Sequence, residues 1–120
     1  MLSSPPQLNL VVLRSSDIER AVSFYHQIGL LFMRHAHGAG PEHYTSEISG
    51  LIFELYPATS KYPSTAGTRI GFRVASVDDI TGSFFWIGVE ITTPPEDSEW
   101  GCRVVVKDFD GHVVEILTPK

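Results

Sequence analysis

The sequence is poor in cysteine and has no cluster of basic residues, and both deficits limit what the protein can do. Its 120 residues include a single cysteine, Cys102, which cannot form a disulfide within the chain. Nine Lys and Arg against fourteen Asp and Glu give a net charge of -5, without the basic patch that nucleic-acid binders carry. No apolar run approaches the ~18 residues of a membrane span, and the first residues, MLSSPPQ, do not resemble a secretory signal. We therefore expect a cytoplasmic protein that binds neither nucleic acid nor membrane.

Common catalytic motifs are missing as well. The sequence has no Ser-His-Asp arrangement, no phosphate-binding loop and no CxxC pair, which argues against nucleophilic hydrolysis, nucleotide binding and thiol redox chemistry. Cys102 has no histidine close to it in the sequence, and we interpret it as a small buried apolar residue.

What the sequence does contain is an internal repeat. A length of 120 residues fits one domain, and residues 1–120 divide into module one (7–57), a linker (58–66) and module two (67–118). Gly29 and Gly88, the glycines predicted to end the two helices, are 59 residues apart. The strands before the two helices are separated by the same 59 residues. The chain is therefore predicted to be a duplication of one structural unit.

Each module is predicted to have the order β-α-β-β-β, an α+β fold. In module one a strand over 8–13 leads through Ser15-Ser16-Asp17 into a helical pattern over 18–28. Module two repeats this with a strand over 69–74, a cap at Ser76 and a helix over 77–87. The strands predicted after the helices are 30–35, 42–48 and 51–57 in module one, and 89–93, 102–107 and 113–118 in module two.

Two glutamates occupy equivalent positions in the last strand of each module. Glu54 and Glu115 each lie in an otherwise apolar strand, where an ionised carboxylate needs either water or polar partners. An outward-facing position explains either residue alone. If the modules pair so that their last strands line one cupped sheet, the two carboxylates face each other, with Leu10 and Arg69 opposite them on the first strands.

The two ends of the repeat also resemble a known family. The stretch Ser-Asp-Ile-Glu-Arg-Ala-Val-Ser-Phe-Tyr at 16–25, followed by Ile-Gly-Leu, resembles the opening of a vicinal oxygen chelate module. The stretch from Trp100 to Glu115 resembles the closing signature of that family, with Phe109 where a proline is usual. The chain is thus similar to the glyoxalase, bleomycin-resistance and extradiol-dioxygenase proteins over nearly its whole length.

The resemblance implies two β-α-β-β-β modules forming a cupped mixed sheet, usually in a homodimer that completes two pockets. It also implies four metal-binding positions, which fall on Leu10, Glu54, Arg69 and Glu115. Leucine has no lone pair to donate and arginine has only donors, so only the two glutamates match. A guanidinium between the two carboxylates would take the place of a cation. We therefore expect no cofactor, with a divalent metal as the open alternative.

Several other residues are candidates for contact with a ligand. We expect Val12 and Tyr56, together with Leu10 and Arg69, to line the pocket, and Trp100 to serve as a wall or lid. His35, His37 and His43 lie near a Gly-Pro-containing turn, where a mobile hairpin tip, a ligand contact or a displaced metal site are all open.

Two functions follow from these expectations. The first is a metal-free pocket that binds a small organic molecule, as bleomycin-resistance proteins do. An acidic chain would suit a cationic ligand, although Arg69 would offset this locally. The second is a lyase or isomerase of the lactoylglutathione lyase type, with Glu54 or Glu115 as general base and Arg69 as the electrophile.

Overall fold

The computed structural model describes residues 4–36 and 38–120, and these form the two expected modules. His37, one of the three candidate histidines, lies outside the described residues. Among the described residues, no helix is both long and apolar enough to span a bilayer. The elements are β1 (Leu10–Ser15), α1 (Ile18–Ile28), β2 (Met33–His35), β3 (His43–Ile48), β4 (Leu51–Pro57), β5 (Arg69–Arg73), α2 (Val77–Ile87), β6 (Glu90–Ser98), β7 (Gly101–Lys107) and β8 (Val113–Pro119).

Each module contains one mixed four-stranded sheet. The strand orders are β1-β4-β3-β2 and β5-β8-β7-β6, so the first and last strands of each module pair in parallel. Val12 lies opposite Glu54 in the first sheet, and Gly71 lies opposite Glu115 in the second. No described strand of one sheet is hydrogen-bonded to a strand of the other. The sheets meet through side chains, with the Phe53 ring of β4 5.9 Å from the Phe72 ring of β5, and α1 packs against α2. The chain therefore holds two separate half-sheets joined through their helices.

The helices begin and end at the expected residues. Asp17 caps α1 by accepting from the backbone N–H of Arg20, and Ser76 caps α2 in the same way. Gly29 and Gly88 end the helices with φ of 114° and 76°, in the left-handed region that glycine enters without a steric penalty.

The predicted strand boundaries were wrong by two or more residues in β1, β2 and β6. β1 runs from Leu10 to Ser15 rather than over 8–13, and β2 keeps only three of the six residues predicted for it. β6 was predicted to end at Thr93 but continues to Ser98, through Pro94 and Pro95. These prolines fall at a register shift in the edge strand of the second sheet, where a missing backbone N–H leaves no ladder bond unmade.

The core that joins the modules is aromatic. The rings of Phe24 on α1 and Phe84 on α2 stack with centroids 4.9 Å apart, and both side chains are fully buried. Tyr25 packs against Phe53 of β4 and Phe72 of β5, so a single side chain contacts both sheets. The helix-bearing sides of the two sheets thus share one core.

A polar network built around Asp108 crosses the same boundary. The Tyr25 hydroxyl donates to the Asp108 carboxylate at 2.7 Å, and His112 Nδ1 lies 2.6 Å from the same oxygen. Burial and the adjacent carboxylate raise the pKa of Tyr25, so the phenol stays protonated and remains a donor. Burial alone would raise the pKa of Asp108, but the hydrogen bonds from His112 and Tyr25 outweigh it and hold that pKa below its ordinary value.

A second carboxylate completes the connection between modules. Asp110 accepts hydrogen bonds from the hydroxyls of Ser15 and Ser16 and from the Ser16 backbone. The two serines were expected at the start of α1, but only Asp17 acts as its cap. His112 Nε2 lies 2.6 Å from Thr65 Oγ1, and His112 is buried, so its ring has a structural role in the turn before β8.

Replacing Asp108 by Asn should lower the free energy of unfolding by about 2 kcal/mol at neutral pH, because charge-assisted hydrogen bonds to a buried carboxylate are lost. Since the pKa of Asp108 is depressed on folding, its contribution is complete above the unfolded value near pH ~4 and disappears as pH falls through the folded value. Urea unfolding between neutral pH and pH ~3 should therefore show the wild type and Asp108→Asn converging. The exposed Asp97→Asn variant is the control, and a difference between wild type and Asp108→Asn that stays constant with pH would contradict the assignment.

Two glycines should respond to alanine in opposite directions. A Cβ on Gly101 would lie 2.1 Å from the Thr118 carbonyl oxygen at a φ of 134°, so Gly101→Ala should be strongly destabilising. Gly82 lies within α2 with open space around its Cα, so Gly82→Ala should raise the free energy of unfolding by about 0.5–1 kcal/mol. Thermal unfolding of both variants tests this pair, and equal effects would contradict it.

Candidate functional site

The predicted site residues lie on the sheet faces that point away from the helices. Leu13 and Phe53 are buried against the helices, so strand alternation turns Leu10, Val12 and Glu54 to the opposite face. Leu10 is half exposed, and Val12 and Glu54 are partly buried. In module two, Val114 and Ile116 are buried, and the alternate residues of β8 form the equivalent open face.

Two arginines neutralise Glu115 on the open face of module two. Arg69 donates from a terminal nitrogen to Glu115 Oε2 at 3.2 Å, and Arg103 donates from Nε to Oε1 at 2.6 Å. The hydrogen bond from Arg103 lowers the pKa of Glu115, and the hydrogen bond from Arg69 adds to this effect. Together they outweigh burial, which would raise that pKa. Glu115 is therefore a bound carboxylate in its ionised form, with both oxygens engaged.

Arg103 was missed by the sequence analysis. The signal was available in strand parity, because Val104 and Val106 are the apolar residues of β7 that face the core, which leaves Arg103 on the face of Glu115. What the sequence could not give is the register that places Arg103 opposite Leu117, next to Glu115 on β8.

Glu54 has different neighbours. The Thr45 hydroxyl donates to Glu54 Oε2 at 2.8 Å, and His43 Nε2 lies 3.6 Å from the same oxygen. The His43 ring stacks on Tyr56 with centroids 4.2 Å apart and nearly parallel planes, and His35 in turn stacks on His43 with centroids 5.7 Å apart. His43 is buried, so two of the candidate histidines belong to a packed cluster rather than to an open hairpin tip.

The aromatic series continues across β1. The Arg14 guanidinium lies 4.7 Å from the centre of the Tyr56 ring and 4.6 Å from that of Tyr62, within cation–π range of both. Burial, followed by the charge of Glu54, raises the pKa of Tyr56, so its hydroxyl stays protonated. The open face of module one is thus a stacked polar and aromatic surface.

The chain does not bring the two glutamates together. The arginine expected between Glu54 and Glu115 contacts Glu115, while the described partners of Glu54 are Thr45 and His43. The reason is the packing of the modules through their helices, which leaves the two open faces on separate sheets. The four-position floor was predicted on the condition that the last strands of both modules line one sheet, and within this chain β4 and β8 lie in separate sheets. Pairing of the two faces between chains remains the open alternative.

Cavities flank Glu115 on both sides. One of about 350 Å³ is lined by Gly71, Phe72, Arg73, Glu115 and Leu117. Another of about 340 Å³ is lined by Ser98, Trp100, Arg103, Glu115 and Leu117, so Trp100 and Glu115 line the same cavity. A larger apolar groove of about 600 Å³ lies where the start of β1 approaches β5, lined mainly by Leu8, Val11, Ile48, Leu51, Ile70 and Phe72.

The residues at the four family positions do not suit a divalent metal. Leu10 has no donor atom, Arg69 is a cation committed to Glu115, and the two carboxylates lie on different sheets. A separate group, Asp108, Asp110 and His112, has its ligand atoms within 4.8 Å of one another. These atoms already receive hydrogen bonds from across the module boundary, and we interpret the group as structural.

Cys102 was interpreted as a small buried residue, and it is partly buried. Burial raises the pKa of its thiol, which does not favour a nucleophile. On α2, Phe84 enters the core, whereas Phe85 and Trp86 are exposed and contact each other edge to face.

Similar folds occur among solved structures. The antibiotic-binding protein TnmS3 from Streptomyces sp. CB03234 has a TM-score of 0.75 and 21% identity, covering 99% of this chain and 100% of that one. TioX from Micromonospora sp. ML1 has a TM-score of 0.73 and 21% identity, covering 96% and 100%. The oxidase ChaP-H2 has a TM-score of 0.75 and 20% identity, covering 98% and 96%. At these identities the likeness establishes the fold.

No curated protein sequence matches the chain significantly. The family model described as Glyoxalase/Bleomycin resistance protein/Dioxygenase superfamily matches residues 7–116. That match spans both modules and agrees with the repeat, the closing signature and the paired β-α-β-β-β architecture. The chain belongs to the Glyoxalase/Bleomycin resistance protein/Dioxygenase superfamily.

Proposed function

We propose that this protein binds a small organic molecule in a metal-free pocket. The proposal is carried by one observation: the guanidinium groups of Arg69 and Arg103 both pair with the carboxylate of Glu115. These two cations stand where a metal ion would otherwise be needed to balance the charge of Glu115. With the carboxylate neutralised by the chain itself, no resident metal is needed to hold the fold of this face. The cavities beside it are of a size suited to part of a drug-like ligand.

The fold of an antibiotic-binding protein, TnmS3, supports the same class of function. We infer that the ligand is an antibiotic or a metabolite of comparable size rather than a polymer. The one free cysteine and the acidic composition agree with a cytoplasmic location, where such a ligand would be sequestered.

A second copy of the chain completes the pocket in this proposal. The open faces of modules one and two lie on separate sheets, and the outer edges of β1 and β5 are unpaired among the described strands. Unpaired edges favour pairing with another chain, and the half-exposed Leu10 and the exposed Leu8 offer apolar surface at the β1 edge. A homodimer with β1 of one copy beside β5 of its partner would form two cupped sheets.

The alternative function is a lyase or isomerase of the lactoylglutathione lyase type. If chemistry takes place at this site, Glu54 is the better general base, because both oxygens of Glu115 are held by arginines and its pKa is lowered. The neighbouring His43 and Thr45 favour Glu54 further, since they contact one carboxylate oxygen and leave the other available.

Tag-free protein should contain well below one equivalent of divalent metal by elemental analysis. Its melting temperature should not rise with added Zn²⁺, Ni²⁺ or Mg²⁺, because a metal that binds the native state must stabilise it. In the same assay, at least one member of a panel of aromatic antibiotics should raise the melting temperature equally with and without chelator. One bound metal per chain, or ligand binding that chelator abolishes, would overturn the metal-free proposal.

Replacing Glu54 by Gln separates the two functions. A binding protein should keep its ligand with a change in affinity of up to about tenfold, the effect of one hydrogen-bonding group. An enzyme using Glu54 as general base should instead lose turnover by a factor of about 10² or more while still binding. Glu47→Gln, an exposed glutamate on β3, is the matched control.

A further inference from the structure

The cavity between Arg103 and Trp100 combines a cationic wall with an aromatic one. Trp100 is 70% exposed and lies in the turn between β6 and β7. Its backbone N–H donates to Ser98 Oγ at 3.2 Å, and that hydroxyl donates to the Gly101 carbonyl at 2.8 Å. These bonds constrain the backbone of the turn that carries the indole, and Trp100 lines the cavity together with Arg103. Leu117 supplies apolar floor beneath it.

Two arginines and one glutamate form the described ion pairs of this face. Two guanidinium groups share one carboxylate, so Arg69, Arg103 and Glu115 together carry one surplus positive charge. Arg103 uses only its Nε for Glu115, and its terminal nitrogens have no hydrogen bond within the described part of the chain. Glu96 faces Arg103 across the β6–β7 ladder without forming an ion pair. The planar end of Arg103 is therefore held in place and has donors to spare.

We propose that this cavity is a subsite for a planar aromatic anion, such as an aromatic carboxylate or an acidic phenol. The proposal rests on the proposed small-molecule function and specifies the ligand class. The anionic group accepts hydrogen bonds from the terminal nitrogens of Arg103, and the ring lies against Trp100 and Leu117. A cationic ligand, which the acidic composition of the whole chain would favour, is disfavoured here because Glu115 is already neutralised.

The arrangement of Glu115 also explains why the anionic group binds at Arg103. The hydrogen bond from Arg103 Nε to Glu115 restricts the rotamers of the arginine before a ligand binds. Less conformational entropy is therefore lost when the terminal nitrogens of Arg103 donate to a ligand carboxylate. Glu115 is thus a positioning residue for the anion subsite.

The probes for a test are 2-naphthoate and its neutral isostere 2-naphthamide, compared by isothermal titration calorimetry on the full chain. We expect 2-naphthoate to bind with a dissociation constant at least about tenfold lower, the effect of one charge-assisted pair. Arg103→Gln should remove that preference. Arg34→Gln, which breaks an exposed ion pair with Glu42 in the other module, should preserve it.

A second variant and a spectroscopic measurement keep the test independent of any loss of stability in Arg103→Gln. Trp100→Leu should weaken both probes while retaining the preference for the anion. In the Trp86→Phe background a single indole N–H resonance remains, from Trp100, and naphthoate should shift it. Equal affinity for both probes would overturn the anion subsite but leave a neutral-ligand function intact. Failure of both probes to bind at millimolar concentration, or binding that leaves the Trp100 resonance unmoved, would also overturn the subsite.

Discussion

The buried carboxylate of Asp108 determines how the two modules lie in this chain. It receives the hydroxyl of Tyr25 from α1 and the backbone and ring nitrogens of His112 beyond β7, so it ties the first helix to the second sheet. Burial alone would raise the pKa of this carboxylate, and the hydrogen bonds from His112 and Tyr25 hold it below its ordinary value. The stacked rings of Phe24 and Phe84 lie on the same boundary and bury the helices against each other. The Asp108 network and the aromatic core together hold the helix-bearing sides of the two sheets against each other. The open faces of the sheets therefore point outward.

That arrangement has a direct consequence for the site. Since the open faces belong to separate sheets, each presents two of the four positions that the family resemblance implies for one pocket. One half carries Glu54 with its histidine and aromatic stack, and the other carries Glu115 between two arginines. The first half is polar and rich in rings, while the second has surplus positive charge. If the open face of module one in one copy met the open face of module two in a second copy, the pocket between them would have two chemically different ends. Such a pocket suits recognition of an asymmetric ligand.

The duplication, the helix boundaries and the family could be predicted from the sequence, because local signals specify each of them. The helix boundaries can be recognised from residue types alone, since Asp17 and Ser76 are common capping residues and a glycine follows each helix. The path of β6 through Pro94 and Pro95 could not be predicted, because its edge position in the sheet is a property of the tertiary fold. For the same reason the role of Asp110 was missed, since its serine partners are almost a hundred residues away in the chain.

The site shows a similar division between local and tertiary information. The equivalence of Glu54 and Glu115 came from the repeat, and the pairing of Arg69 with Glu115 was expected in part. The second arginine and the separation of the two glutamates depend on sheet register and module packing, which no local pattern encodes. The alternation of residues along a strand identifies the face of the sheet on which a residue lies. Its neighbours on adjacent strands are known only from the folded structure.

The central claim, that a second copy completes the pocket through the β1 edge, is tested most directly by the mass of the protein in solution. Sedimentation equilibrium of the wild type should give twice the chain mass of 13.3 kDa. Leu10→Asp, at the half-exposed β1 edge, should give the mass of a single chain that keeps the circular dichroism spectrum of a folded protein, with a lower melting temperature because the dimer no longer stabilises it. Leu31→Asp, at an equally apolar and more exposed residue outside that edge, should remain a dimer. A wild-type protein that sediments as a single chain at micromolar concentration, or a dimer that Leu10→Asp leaves intact, would contradict the account.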